Sequence, residues 1–309
     1  MSSQRAEAPA VSAVICTRNR PDKIGQAVAS VLASDYGCFD LTVIDQSTSD
    51  ATERVLKEVV QRDARLRYLH VDQSGLSKAY NTAIGRTSGE ILAFTDDDCV
   101  VPSDWITRIV EAFAADDESE LLYGQVVPLS DVERNLTPRL EIPRAERLSR
   151  SDGFKVFGMG ANFAARRRLF SRIGGFDEIL GGGGPLKSSQ DYDLAYRAYR
   201  AGSVILLRPE VQLSHDGRRE HDDWPSLLRN YGFGDGAFYS KHVRAGDLYA
   251  LWLLVFRVTQ QFARSMWKRA RRRGGFGERT YLQGFFCGVR DSFKFDVDRR
   301  GRLYRARTG

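Results

Sequence analysis

The chain has 309 residues, 42% hydrophobic and 28% charged, which suits a globular protein with a sizeable core. Its four cysteines, Cys16, Cys38, Cys99 and Cys287, are scattered without CxxC spacing, which excludes a disulfide framework or a zinc site and points to reduced thiols in the cytosol. The net charge of +6 conceals an asymmetry. From Lys241 onward there are 17 Lys+Arg against five Asp+Glu, whereas residues 1–240 carry 29 against 35. A mildly acidic body with a strongly basic tail asks for a polyanion, either an anionic membrane surface or nucleic acid.

Residues 1–10 contain Arg5 and Glu7 but no apolar stretch, so they read as a disordered leader and not as a secretory signal. The next hundred residues alternate strand and helix. Val11 to Ile15 is a short apolar run, followed by the loop 16–21. Ile24, Ala27, Val28, Val31 and Leu32 then recur at helical spacing. A strand at Leu41–Ile44, a helix around Val55, Leu56 and Val59, a strand at Leu66–Val71 and a helix at Leu76–Ile84 follow. The run Ile91-Leu92-Ala93-Phe94-Thr95 forms the last strand of the series. This order predicts an α/β fold with a mostly parallel sheet and right-handed crossovers. The loops 16–21, 45–50, 72–78 and 95–102 then converge on one rim, where open α/β sheets bind ligands.

Asp96-Asp97-Asp98 ends that last strand. Carboxylates stacked together repel, and a divalent cation is the usual reason to tolerate them. The alternative is an acidic loop capping the helix that starts near Pro102-Ser103-Asp104. Beyond it the pattern loosens. Leu121–Val127 reads as a strand, 128–155 has no clear period, Val156–Ala164 is a small-residue strand, and Arg166–Ile173 is a short helix. Gly181–Gly184 reads as a mobile loop, Asp191–Ala201 as a helix, and Val204–Leu207 as a strand with His215 in the loop beyond. From Trp224 the chain is aromatic and basic together. Leu248–Val258 is nearly all apolar, yet much shorter than the roughly 20 residues that span a bilayer. With Lys268–Arg273 behind it, this segment suits a helix lying on an anionic membrane, or else a buried helix with a solvated basic end.

Several of these pieces together resemble a family 2 glycosyltransferase of the GT-A fold, over roughly residues 10–220. They are Ile15–Arg20 after the first strand, Val43–Asp50 after the second, Gly75–Asn81, Phe94–Asp98, Ile173–Glu178 and Gln190–Arg197. The resemblance implies a GT-A domain at 11–220, with a nucleotide-binding half (11–102) and an acceptor half (103–220); the composition of 221–309 reads as a helical, basic, membrane-associating region. It implies a metal-dependent inverting transfer of a sugar from a nucleotide-diphosphate donor to a carbohydrate or lipid-linked acceptor. Polysaccharide or glycolipid synthesis at the cytoplasmic membrane face follows from that, with nucleic acid not the expected partner.

The resemblance also assigns roles. Asp45 is expected at the nucleoside, its alternative being an Asx-turn residue. Thr17, Arg20, Lys78, Asp96 and Asp97 are expected around the donor nucleotide. The triplet becomes a DXD-type motif that holds Mg²⁺ or Mn²⁺ through Asp98 and Asp96, joined by the late His215. Asp191 is the expected general base, preceded by Gln190 where the family commonly has Glu. Gly160, Asn162 and Gln190 are expected beside the donor sugar or acceptor, and the tetraglycine as a lid. A nucleotidyltransferase is the competing enzyme, but the loop after the first strand has no glycine. A dinucleotide oxidoreductase lacks its GxGxxG there. A non-catalytic polyanion binder on the same fold is the alternative of a different class.

Overall fold

The computed structural model describes residues 8–130, 138–155, 158–217, 223–270 and 276–307. Residues 1–7 of the expected leader, 156–157 of the expected small-residue strand and 271–273 of the basic cluster lie outside them. The chain forms two compact units. One holds residues up to Ser74, Lys78–Gly175 and Ala195–Arg218; the other holds Gly75–Ser77, Phe176–Leu194 and Arg219 onward.

The first unit is built on a sheet whose strands bury both faces, so their sequences are continuous apolar runs instead of alternating ones. β1 (Val11–Thr17), α1 (Pro21–Leu32), β2 (Phe39–Asp45), α2 (Ala51–Arg62), β3 (Leu66–His70), α3 (Leu76–Arg86) and β4 (Ile91–Asp96) follow the predicted alternation. Pro21 stands in the first turn of α1, where its fixed φ and missing N–H cost nothing. Ile24, Ala27, Val28 and Val31 form the face it buries. β1 pairs in parallel with both β2 and β4, in a register that sets Thr17 beside Asp45 and Cys16 beside Asp96. Three strand ends thus reach the same rim.

The sheet is mixed beyond β4. Its order is β3-β2-β1-β4-β8-β6-β9-β5, where β5 is Cys99–Val100, β6 Ser119–Pro128, β8 Asn162–Arg166 and β9 Val204–His215; β7 (Glu146–Leu148) pairs with β9 beside this path, α4 (Trp105–Ala114) follows β5, and α5 (Arg167–Ile173) follows β8. β8 runs antiparallel to β4 and β6, while β6 and β9 are parallel. β9 is the element that the sequence pattern cut short. It passes Leu207 and runs to His215, because the β6–β9 register jumps from Gly124↔Arg208 to Gln125↔Gln212. Pro209 lies in that interruption, and a proline cannot donate to the ladder. His215 is therefore the last residue of a strand and not part of a loop. It pairs antiparallel with Cys99, just after the aspartate triplet.

In the second unit, α7 (Asp223–Arg244), α8 (Leu248–Ala270) and α9 (Phe276–Ser292) precede a hairpin, β10 (Phe295–Asp298) and β11 (Leu303–Ala306). α7 and α9 cross through two pairs of glycines. A Cβ on Gly232 or Gly236 would strike the carbonyls of Tyr281 or Phe285; one on Gly284 or Gly288 would strike those of Arg229 or Phe233. The helices approach backbone to backbone because those four positions carry no side chain.

The centre of this unit is an ion cluster with no exposure at all. Lys241 Nζ, on α7, lies 2.6 Å from Asp177 Oδ2 and 2.6 Å from Asp193 Oδ1, in α6 (Gln190–Arg200). Asp177 Oδ2 also accepts the Tyr304 N–H at 2.8 Å, and His242 Nε2 stands 2.9 Å from Asp193 Oδ1. Burial pushes His242 down to about 4; Lys241 and Arg302 add to that against the pull of Asp193. The imidazole is therefore neutral and donates from Nε2. Lys241, counted in the basic tail by its sequence position, is a sealed counter-ion and contributes nothing to a basic surface.

Gly236→Ala should lower the thermal midpoint by the equivalent of about 1–3 kcal/mol, since the added methyl meets backbone that cannot step aside. Gly85→Ala, on an exposed turn of α3 with nothing within 4 Å, is the control and should be neutral or slightly stabilising. Equal effects in thermal melts would contradict the close crossing.

Stability should also depend on pH through His242. Its folded value lies below the unfolded one of about 6.5, so the unfolded chain binds the extra proton as pH falls. The contribution is fully present above about pH 6.5 and lost on the way to pH 4, up to about 3 kcal/mol. Urea melts of His242→Gln across that range should show a flatter slope than those of the parent.

Candidate active site

At the end of β4 the three aspartates have different surroundings. Asp97 is engaged on both oxygens: its Oδ2 accepts the Thr17 hydroxyl at 2.6 Å, and Arg20 Nη1 caps its Oδ1. The other arm of the Arg20 guanidinium donates to Asp98 Oδ2 at 2.9 Å. Thr17 ends β1 and Arg20 immediately precedes α1, so two neighbouring elements supply the groups that make a buried triplet tolerable. Both residues, expected at the nucleotide, are placed here as partners of the triplet.

Asp98 Oδ1 differs from the rest. It is buried and receives no well-directed hydrogen bond, although His215 Nε2 stands 3.2 Å away. The His215 ring is oriented from its other side, where Nδ1 lies 3.2 Å from the Pro138 carbonyl. An imidazole that donates from Nδ1 aims its Nε2 lone pair at a carboxylate, an arrangement that needs a proton or a cation between the two. Burial alone would raise Asp98, but His215 and then Arg20 hold it down to about 2. Against its own burial, Asp98 in turn raises His215. Asp96 goes the other way, pushed up to about 7 by burial and then by the charge of Asp98.

These features fit a divalent cation. Asp96, Asp98, Cys99 and His215 can each bring one ligand atom into a group whose members lie within 4.8 Å of one another. Burial raises the Cys99 thiol well above its ordinary value, and a soft sulfur donor suits a hard ion poorly. Two carboxylates and one imidazole remain, a donor set for Mg²⁺ or Mn²⁺.

Asp45 ends β2 fully buried; its Oδ1 accepts the Ser47 N–H at 2.8 Å and its Oδ2 the Tyr68 hydroxyl at 2.8 Å. It is thus an Asx-turn residue, with lone pairs to spare on both oxygens. Lys78 on α3 is half-buried and has no ion pair among the described residues. Asn162 and Gly160, expected beside the donor sugar or acceptor, are buried within the first unit. Asn162 is fully buried and spends its amide inside the unit: Oδ1 accepts Trp105 Nε1–H at 3.0 Å, and Nδ2 donates to the carbonyls of Gln125 and Val211. It braces the sheet. Gly158, where a Cβ would meet the Tyr123 ring, and the buried Gly160 lie in the turn before β8.

Asp191 and Gln190 open α6, and their surroundings belong to the second unit. Asp191 is half-buried, with Oδ1 accepting the N–H of Tyr192 at 2.9 Å; Gln190 is buried. The chain enters this helix through two left-handed residues, Lys187 (φ 66°) and Ser189 (φ 69°). Neither is a glycine, so the conformation costs energy that neighbours must cover. Ser189 does so by donating to Asp235 Oδ1 on α7 at 2.8 Å, while the Tyr281 hydroxyl holds Asp235 Oδ2. The tetraglycine before it is a tied turn: Gly184 N–H donates to Gly181, and Leu76 N–H donates to Gly182 at 2.8 Å.

Sequence reasoning passed over several of these groups. Lys23, on α1, pairs with Asp216, whose N–H donates to the Asp98 carbonyl at 2.8 Å. A Cβ on Gly217 would strike the His215 ring. The only trace of either in the sequence is the run His215-Asp216-Gly217. Asp235 and Ser189 left none.

Known proteins resemble the chain at three levels. Residues 12–174 match the family model described as glycosyl transferase family 2. An uncharacterized glycosyltransferase of Bacillus subtilis, EpsJ, is 26% identical over 65% of this chain, which spans only 59% of that relative. The glucosyl-dolichyl phosphate glucuronosyltransferase of Haloferax volcanii is 22% identical, over 75% of this chain and 76% of its own. Among solved structures, the mannosyltransferase PcManGT of Pyrobaculum calidifontis, in complex with GDP-Man and Mn²⁺, superposes with a TM-score of 0.63. It covers 92% of this chain and 88% of its own at 15% identity, a likeness of fold.

Proposed function

The chain belongs to glycosyl transferase family 2 and is a glycosyltransferase, and from that premise we propose a metal-dependent, inverting transfer from a nucleotide-diphosphate sugar to an acceptor hydroxyl. The observation that carries the metal part is Asp98 Oδ1, buried, short of a hydrogen bond and faced by the Nε2 of an oriented histidine. Asp96, Asp98 and His215 would hold the cation, while Asp97 keeps Thr17 and Arg20 in place. When bound, the cation neutralises charge on the departing nucleoside diphosphate. PcManGT, solved with GDP-Man and Mn²⁺, supports that choice by its fold.

Asp45 offers its free lone pairs to the nucleoside, and Lys78 brings positive charge toward the diphosphate. Asp191 takes the proton of the acceptor hydroxyl as that oxygen attacks the anomeric carbon. The bond from that carbon to the donor phosphate breaks, and the nucleoside diphosphate leaves with its electron pair. One carboxylate suffices for a single inverting displacement, and Gln190 beside it adds no second charge. The acceptor is carbohydrate or lipid-linked; the relative named for glucosyl-dolichyl phosphate favours the latter. A lipid-linked acceptor places the enzyme on a membrane, peripherally and at the cytoplasmic face.

Thermal melts test the metal site without turnover. Mn²⁺ with a nucleoside diphosphate should raise the midpoint of the parent protein, because a ligand that binds only the folded state stabilises it. Asp98→Ala should abolish the metal-dependent part of that shift, and an undiminished shift would remove Asp98 from the site.

Asp191→Asn should keep the metal-dependent thermal shift yet lose turnover of nucleotide sugar by about 10²–10⁴-fold, the usual worth of a general base. Turnover within a few-fold of the parent would overturn its role. Retained ligand shifts with no turnover in the parent protein would favour the non-catalytic binder.

A further inference from the structure

Helix α8 is amphipathic in an unusual direction. Ala250, Leu253, Gln261 and Ser265 are buried on one side, as expected for a helix that packs on its own unit. The opposite side carries Leu248, Trp252, Val255, Phe256, Phe262 and Met266, all turned to solvent at successive steps of four, three, one, six and four residues. Leu248 is 79% exposed, Phe262 61% and Trp252 57%. The rings of Tyr249 and Trp252 stack at 5.7 Å, and those of Trp252 and Phe256 also at 5.7 Å, so the aromatic part of the face is one continuous strip. Scattered apolar residues on a surface need no explanation, but a contiguous strip of this kind marks a surface that something covers.

Charge decides what covers it. The 23 residues of α8 include Arg257, Arg264, Lys268 and Arg269 and not one Asp or Glu. Arg257 and Lys268 are engaged with Asp235 and Glu278, while Arg264 is exposed. A second copy on the same face would bring together two segments that each carry +11 from His242 onward, the sealed Lys241 left out, counted over the sequence. An anionic lipid surface meets the same charge with attraction. The helix is not a span: among the described residues no helix is long and apolar enough to cross a membrane, and Arg257 and Arg264 fall within its length. A helix with one apolar aromatic face, no acids and the exposed Arg264 lies in the plane of the interface. Tryptophan and tyrosine suit that depth, where a ring can be buried and its polar atom stay wet.

We infer that the Leu248–Met266 face of α8 docks on an anionic phospholipid bilayer, parallel to its surface, with the aromatic strip at headgroup depth. This rests on the peripheral-membrane part of the function proposed above and names the surface that performs it. Partition has two sources, apolar burial and cation attraction, so salt weakens it without abolishing it.

Flotation of the full-length protein with vesicles tests the inference. The parent should float with vesicles of about one-third anionic lipid, and far less with neutral ones. Trp252→Ser combined with Phe256→Ser should reduce the floated fraction at least tenfold while the protein still melts cooperatively with only a slightly lower midpoint, because both side chains are more than half exposed. The metal-dependent thermal shift of that variant should also stay as in the parent. A variant that floats as well as the parent overturns the docking face and leaves a peripheral enzyme held elsewhere. A parent that fails to float overturns the docking face and the membrane part of the proposed function together, but leaves sugar transfer standing. A concentration-dependent dimer in light scattering that the double variant dissolves would assign the strip to a second copy instead.

Discussion

A carboxylate taken out of water must be met by a cation or by several hydrogen bonds, and both units of this protein are organised around that requirement. In the first, the aspartates that end β4 draw Arg20 from the start of α1, Thr17 from the end of β1 and His215 from the end of β9. In the second, Asp177 and Asp193 share Lys241, and no part of that group reaches solvent. Taking one partner out of such a group costs about 3–5 kcal/mol, because it strands a buried charge. The elements that supply partners are therefore fixed relative to one another within their own unit.

The same requirement separates carboxylates that hold the fold from those that can act. Asp97 has a hydrogen bond on each oxygen, from Thr17 and from Arg20, and so anchors β1 and the start of α1. Asp98 shares Arg20 through one oxygen and keeps the other directed at His215, without a good hydrogen bond. Asp98 and His215 come from positions more than a hundred residues apart, and the Cys99↔His215 pairing of β5 with β9 brings them together. A two-residue strand thus does the assembling.

What the sequence revealed follows from the range over which each signal acts. β1, β2 and β4 were legible because a strand buried on both faces must be an apolar run, and their parallel order put Thr17, Asp45 and Asp96 on one rim. The end of β9 was hidden by Pro209, since a ladder that skips residues leaves no periodic trace. β5 is too short for any pattern. The carbonyl partners of Asn162 were not legible either, because an amide serves hydroxyls and carbonyls equally well and its depth leaves no trace in the sequence. Lys241 was counted in the basic tail for the same reason: formal charge says nothing of depth. The apolar run at Leu248 fitted a buried helix and a surface helix alike, and exposure divides it into one face of each kind.

Helix α6 shows how a tail remote in sequence can govern a proposed catalytic group. Asp191 and Asp193 are two residues apart, a spacing that sends side chains to different sides of a helix. Asp193 is clamped by Lys241 and His242 of α7, which fixes the rotation of the first helical turn. Ser189, in a left-handed conformation, is tied to Asp235 on the same helix, which fixes where that turn begins. With both its rotation and its origin held by α7, the direction of Asp191 is set before any substrate arrives. Pre-set direction is what a base needs, since a displaced carboxylate loses rate even when its charge is intact. Burying a lysine between two aspartates, costly as a source of stability, makes sense as a means of aiming the third.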